Sequence, residues 1–115
     1  MADDCLFCGI VAGRVPADIV HEGERTLAFR DISPAAPVHV LVVPRRHVIS
    51  AATVEAADGE VVADLLRAAR SVAEQEGVLD SGYRLVFNVG DDALNSVPHL
   101  HLHILGGRRL AWPPG

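Results

Sequence analysis

The chain contains no lysine; its ten basic residues are all arginine. With 16 Ala and 16 Val among 115 residues, this bias reads as a property of the genome rather than a functional signal. Acidic residues outnumber basic ones, 15 to 10, for a net charge of −5. That balance argues against a duplex nucleic-acid partner, which needs a positive face for its phosphates. No apolar run approaches the roughly 20 residues that span a bilayer, so no membrane association is expected. No basic-then-apolar leader is present either, since Ala2, Asp3 and Asp4 are small or acidic. The expected location is cytoplasmic. Cysteine is limited to Cys5 and Cys8. One C-x-x-C is not a disulfide framework; it is a metal half-site or a redox pair.

Half of the residues are hydrophobic and 22% are charged, a balance that excludes a disordered or low-complexity chain. A chain of this length buries roughly two thirds of its unfolded surface and holds a core without staples. It is read as a single domain over residues 1–115, with no repeat or linker.

The spacing over Cys5–Gly13 predicts a short helix. Strands are expected at Ile19–Glu22 and Thr26–Arg30, with Glu22-Gly23-Glu24 as the turn between them. Pro34 and Pro37 make 31–37 a loop. Val38–Pro44 is apolar and β-branched, a central strand. Val54, Val61, Val62, Leu65, Leu66, Ala69, Val72 and Ala73 recur at helical spacing and predict one long helix over Thr53–Glu76. Gly59 weakens that helix locally, which allows its first turn or two to be separate, and Gly77 stops it. Tyr83–Val89 and His99–Leu105 read as two more strands. The class is α+β: a five-stranded antiparallel sheet, one long helix and a short N-terminal helix.

The densest chemistry lies in His99-Leu100-His101-Leu102-His103-Ile104-Leu105. Alternation along a strand puts three imidazoles on one face, about 6.6 Å apart, and Leu100, Leu102 and Ile104 on the other. Apart from a merely solvated polar face, two chemistries fit. One is a three-histidine catalytic metal site with an open fourth position. The other is metal-free, with one imidazole as nucleophile and its neighbours orienting it and binding charge. An imidazole with a pKa near 6.5 is mostly neutral at pH 7 and can attack without a strong base.

The run His-x-His-x-His followed by two apolar residues and Gly106-Gly107-Arg108 resembles the signature of the histidine-triad (HIT) superfamily. Phe29–Pro34, Ala36–His39, Val42–Val48 and Asn88-Val89-Gly90 are similar to its other blocks, in its order. The ending through Trp112-Pro113-Pro114-Gly115 resembles the Hint branch, the purine nucleoside phosphoramidate hydrolases. The resemblance spans roughly Cys5 to Gly115.

It implies that His101 attacks the α-phosphorus of an adenosine phosphoramidate. A nucleotidyl-histidine forms, and water then releases AMP. One ring nitrogen of His101 must be free while the other donates to a fixed acceptor, expected to be a backbone carbonyl. His103, His39 and Ser96 complete the implied catalytic set. Ala93-Leu94-Asn95 stands where the family often has Gly-Gly-Gln. The implied nucleotide-binding set is Asp31 for the ribose hydroxyls, Asn88 for ribose or phosphate, Phe29, Ile32 and Leu41 around the purine, and Val97. The arginine pairs Arg45-Arg46 and Arg108-Arg109 are read as solvated surface without a catalytic role.

The redox reading of Cys5 and Cys8 lacks its βαβ context. Resemblance to bacterial zinc-containing members implies a structural zinc held by Cys5, Cys8, His47 and His99. Such a closed set has no water position, and it moves His99 from catalysis to architecture. His21 is left over as a surface residue. The resemblance further implies a homodimer with a continuous sheet, whose Trp112 tail reaches the partner's site. Other readings are a diadenosine polyphosphate hydrolase, a nucleotide-binding regulator with vestigial turnover, and a zinc hydrolase using all three triad histidines.

Overall fold

The computed structural model describes residues 5–115; the leader expectation, which concerns Ala2, Asp3 and Asp4, lies outside them. Strand β3 (Val38–Pro44) is buried at every position, because both of its faces are covered. This accounts for a continuous apolar run in an antiparallel sheet. On one side it pairs with β2 (Thr26–Arg30), which pairs in turn with the edge strand β1 (Ile19–Glu22). On the other side it pairs with β5 (Leu102–Gly106), and β5 pairs with the second edge strand, β4 (Tyr83–Val86). The order is β1-β2-β3-β5-β4, antiparallel throughout. With helix α1 (Leu6–Val11) and helix α2 (Gly59–Gln75), the architecture is the expected α+β one. Among the described residues no helix is long and apolar enough to cross a membrane.

The two sheet faces carry different loads. Ala28, Val40, Val42, Leu102 and Ile104 pack against Leu65, Ala68, Ala69, Val72 and Ala73 of α2. Leu27, Phe29, Leu41 and Val43 face the other way, onto Cys5, Phe7 and Ile10 of the N-terminal segment. The histidines of β3 and β5 belong to this second face.

Three boundaries differ from the sequence expectation. The long helix begins at Gly59, not Thr53; two 3-10 turns, Ala51–Thr53 and Ala56–Asp58, precede it. There, local side chains outcompete the helix for backbone donors. Ser50 Oγ accepts from Ala52 N at 3.1 Å, and Asp58 Oδ2 accepts from Glu55 N at 2.9 Å. Gly59 therefore opens the helix, and the turns before it are separate, as its weak helix propensity allowed. At the other end Gly77 stops it as expected, with φ of 76°. Val78 N donates to Ala73 O and Gly77 N to Glu74 O, a Schellman closure. Strand β4 ends at Val86, and β5 begins at Leu102 instead of His99. The ladder stops at Val86↔His103, because residues 97–101 bend away to other partners and leave Phe87–Val89 nothing to pair with.

Candidate active site and metal centre

His39 and His103 are brought together by strand register. Leu41 lies opposite His103, so His39, two residues back on the same face, is its diagonal neighbour. His39 Nε2 stands 2.9 Å from His103 Nδ1. The main-chain N–H of Ala35 donates to His39 Nδ1 at 3.0 Å. An amide can only donate, so His39 Nδ1 carries the lone pair and Nε2 carries the proton. His39 Nε2–H then donates to His103 Nδ1, which leaves the proton of His103 on Nε2. Asp31 Oδ2, 3.4 Å from His39 Nε2, shares that donor.

Burial, with the neighbouring His101 and His39, pushes His103 down to about 4. Burial also lowers His39, opposed by the Asp31 carboxylate. Both rings are therefore neutral at pH 7, as the chain of donors requires.

His101 lies just outside β5 and is buried. Its Nδ1 lies 2.8 Å from the His99 carbonyl. The carbonyl only accepts, so Nδ1 holds a proton, and in the neutral tautomer it is Nε2 that carries the lone pair. The expected carbonyl acceptor is thus present. The ring sits 5.1 Å from His103 and 5.0 Å from Phe7, centroid to centroid, the latter edge-to-face. Phe7, unassigned from sequence, closes the site from α1; its place between two cysteines was the one available signal.

His99 does not join this row. Its Nε2 donates to the Pro44 carbonyl at 2.9 Å, which leaves Nδ1 as a lone pair. That nitrogen points at Cys5 Sγ and Cys8 Sγ, 3.4 Å from each, and at His47 Nδ1, 3.2 Å away. Cys8 Sγ and His47 Nδ1 are 3.2 Å apart. The four ligand atoms of Cys5, Cys8, His47 and His99 form one cluster able to bind a metal ion. Burial favours the neutral, metal-binding form of His99, opposed by its hydrogen bond to Pro44. The Pro44 carbonyl fixes the ring in the way an outer partner orients a histidine ligand.

The other expected residues are more dispersed. Asp31 Oδ1 accepts from Ser33 N at 2.8 Å, so it forms the loop turn and also touches His39. Asn88 Nδ2 donates to the Ala93 carbonyl at 2.8 Å and clamps the 91–95 loop. Phe29 and Leu41 are buried, with Phe29 edge-on to Phe7 at 5.4 Å. Ile32, by contrast, is 98% exposed and is not packed with them. Ser96 and Val97 line a cavity of about 490 Å³ with Cys5, Leu6, His47, Ile49 and Pro98, on the cysteine side. His21, expected on the surface, is half-buried on β1. Arg108, read as surface, donates to the Ala35 carbonyl at 3.1 Å. Ala35 acts through its main chain, for which a sequence carries no signal.

The model of the HIT domain family matches residues 12–110. An uncharacterized HIT-like protein of Synechococcus elongatus is 45% identical over 115 residues, all of both chains. The crystal structure of a HIT family hydrolase from Legionella pneumophila Philadelphia 1 superposes with a TM-score of 0.95 at 47% identity, covering 97% of this chain and 100% of that one. A histidine triad protein from Clostridium difficile gives 0.90 at 38% identity, covering 94% of each chain. On its sequence, its sheet order and these likenesses, the chain belongs to the HIT domain family.

Proposed function

We propose that the protein hydrolyses purine nucleoside 5′-phosphoramidates, such as those of adenosine, to the nucleoside monophosphate and an amine. The observation that carries this reading is the 2.8 Å contact from His101 Nδ1 to the His99 carbonyl. It leaves His101 Nε2 as a neutral nucleophile beside a ring that offers an N–H. The likeness to a HIT family hydrolase supports the reaction type.

In the first step His101 Nε2 bonds to the α-phosphorus. The phosphorus–nitrogen bond breaks with its electron pair going to the amine nitrogen, which takes a proton from solvent as it leaves. His103 Nε2–H donates to the phosphoryl oxygen or the leaving nitrogen. Once phosphorylated, His101 is an imidazolium whose Nδ1–H remains on the His99 carbonyl, which stabilises the charge. Water then attacks phosphorus and gives up a proton to solvent, while the bond to Nε2 breaks with its electron pair returning to His101, which departs as a neutral ring. Asp31 would take the ribose hydroxyls, Asn88 the ribose or phosphate, and Phe29, Leu41, Ile32 and Val97 would bound the purine. Ser96 would donate to the phosphate once its loop meets substrate.

The Cys5, Cys8, His47 and His99 cluster fits a structural zinc. A tetrahedral zinc sets S···N edges of about 3.5 Å and N···N edges of about 3.3 Å. The observed separations, 3.2 to 3.4 Å, lie close to these. Four protein ligands leave no water position, so zinc would supply stability and not chemistry. The edge strand β4, with Leu85 exposed, offers unpaired backbone for a second copy, and Trp112 is 82% exposed in the chain alone. A homodimer joined along β4 would cover both.

A panel of adenosine and guanosine phosphoramidates, scored by AMP or GMP release, tests the activity and ranks the bases. His101→Ala should abolish turnover while nucleotide still binds, because the other phosphate contacts cannot replace a covalent step. Activity within about tenfold of wild type would remove His101 from the nucleophile's role.

A further inference from the structure

Ala35 is held from both sides. Its N–H donates to His39 Nδ1 at 3.0 Å, and its carbonyl accepts from Arg108 Nη2 at 3.1 Å. We propose that Arg108 is a positioning residue for the histidine row: by holding Ala35 it fixes which nitrogen of His39, and through it of His103, carries the proton. The catalytic consequence rests on the reading above; the structural one does not.

The Ala35 amide starts the row at His39 Nδ1, and Asp31 Oδ2, 3.4 Å from His39 Nε2, favours the same proton position from the other end of the ring. If the Ala35 N–H turned away, His39 could carry its proton on Nδ1 and offer Nε2 as an acceptor. His103 would then satisfy that acceptor from Nδ1, and its Nε2 would present a lone pair in place of the N–H. Two imidazoles hydrogen-bonded to each other have no preference of their own between these arrangements. The Ala35 amide, at 3.0 Å, makes the shorter of the two contacts that bias the choice, the other being Asp31 Oδ2 at 3.4 Å, so its aim matters more than its small contribution to stability.

Several features of the chain keep it aimed. Pro34 and Pro37 flank the segment with fixed φ. Gly107 adopts φ of 88°, and a Cβ there would stand 2.9 Å from Pro37 Cβ, so the turn after β5 presses directly against the loop. The next residue is Arg108, and one planar guanidinium spans the two segments. Its Nη1 donates to the Arg109 carbonyl at 3.2 Å while Nη2 holds Ala35. The rigid fork of arginine makes two such contacts at once, which lysine's point charge does not. This also gives the third residue of Gly106-Gly107-Arg108 a physical task.

The test measures ring-nitrogen protonation directly, by ¹⁵N NMR of imidazole-labelled protein without substrate. It therefore reads the proposal even if no phosphoramidate is cleaved. In the wild type, His39 should show a bare Nδ1 and His103 a protonated Nε2. Arg108→Ala should move both rings toward a mixture of tautomers, and Ala35→Pro, which removes the N–H and also fixes φ at position 35, should do the same. With a phosphoramidate substrate, Arg108→Ala should lower kcat by about tenfold and leave KM within about twofold, since misaimed groups act on the transition state. Arg109→Ala should match the wild type in both readouts. Unchanged ring nitrogens in Arg108→Ala and Ala35→Pro would overturn the proposal. So would lost turnover with unchanged nitrogens, which would make Arg108 a direct substrate contact. An equal effect from Arg109→Ala would overturn it too, by assigning the effect to tail charge.

Discussion

At the residue scale, the roles of His39, His99, His101 and His103 are set by what their nitrogens can accept or donate. His99 and His101 both meet main-chain carbonyls, but through opposite nitrogens, Nε2 to Pro44 and Nδ1 to His99. The first therefore turns a lone pair toward the cysteines, and the second keeps its Nε2 clear of both main-chain carbonyls. His39 and His103 are kept neutral by burial, and this links stability to pH. Both have folded values below the unfolded value of about 6.5. Between about pH 6.5 and pH 4 the unfolded chain therefore binds protons that the folded chain refuses. The His103 contribution is complete above about pH 6.5 and is lost as pH falls toward 4, and burial of His39 acts in the same direction. Urea denaturation at pH 7 and pH 4.5 should show a larger loss for wild type than for His103→Gln; equal losses would contradict the burial argument. Asp31→Ala should raise KM by the equivalent of about 1.5–3 kcal/mol, the worth of a hydrogen bond to a charged group. Because Asp31 Oδ2 also contacts His39, kcat should fall by a smaller factor. An unchanged KM would reduce Asp31 to the turn it makes with Ser33.

At the scale of elements, the helix α1 is six residues long and has little to hold it beyond Phe7, Ile10 and the cysteine cluster. Helices this short are marginal alone. Chelation, or Cys5→Ser with Cys8→Ser, should therefore lower Tm by about 10 °C or more, because bound metal is folding free energy. Turnover should survive wherever the apoprotein stays folded. Full stability without metal, combined with lost turnover, would place the ion on the catalytic face. Much at this scale was legible in the sequence. β-branching gave β3, the 3.6-residue period gave α2, and Gly77 gave its end. The misjudged boundaries were those decided by side chains bonding to local backbone, as at Ser50 and Asp58, or by distant partners, as at 97–101. The donor set Cys5, Cys8, His47 and His99 was legible through family resemblance alone, since no local pattern joins residues 5 and 99. The Ala35 amide left no trace, because it is main chain.

At the scale of the whole molecule, the sheet separates labour between its faces. α2 covers one face with an apolar core, and the other face carries the buried imidazoles beside its own apolar cluster. The β4 edge remains open. Light scattering should report twice the chain mass, and Leu85→Lys, which places a charge on that edge, should shift the protein toward monomer. A wild-type monomer would contradict pairing through β4. The central claim, that His101 Nε2 is the nucleophile, is tested most directly by quenching the reaction of an adenosine phosphoramidate within one turnover and mapping the adduct by mass spectrometry. The account predicts an adenylyl group on the peptide containing His101, absent in His101→Ala. A protein that releases AMP with no adduct at any time, or with the adduct on His103, would contradict it.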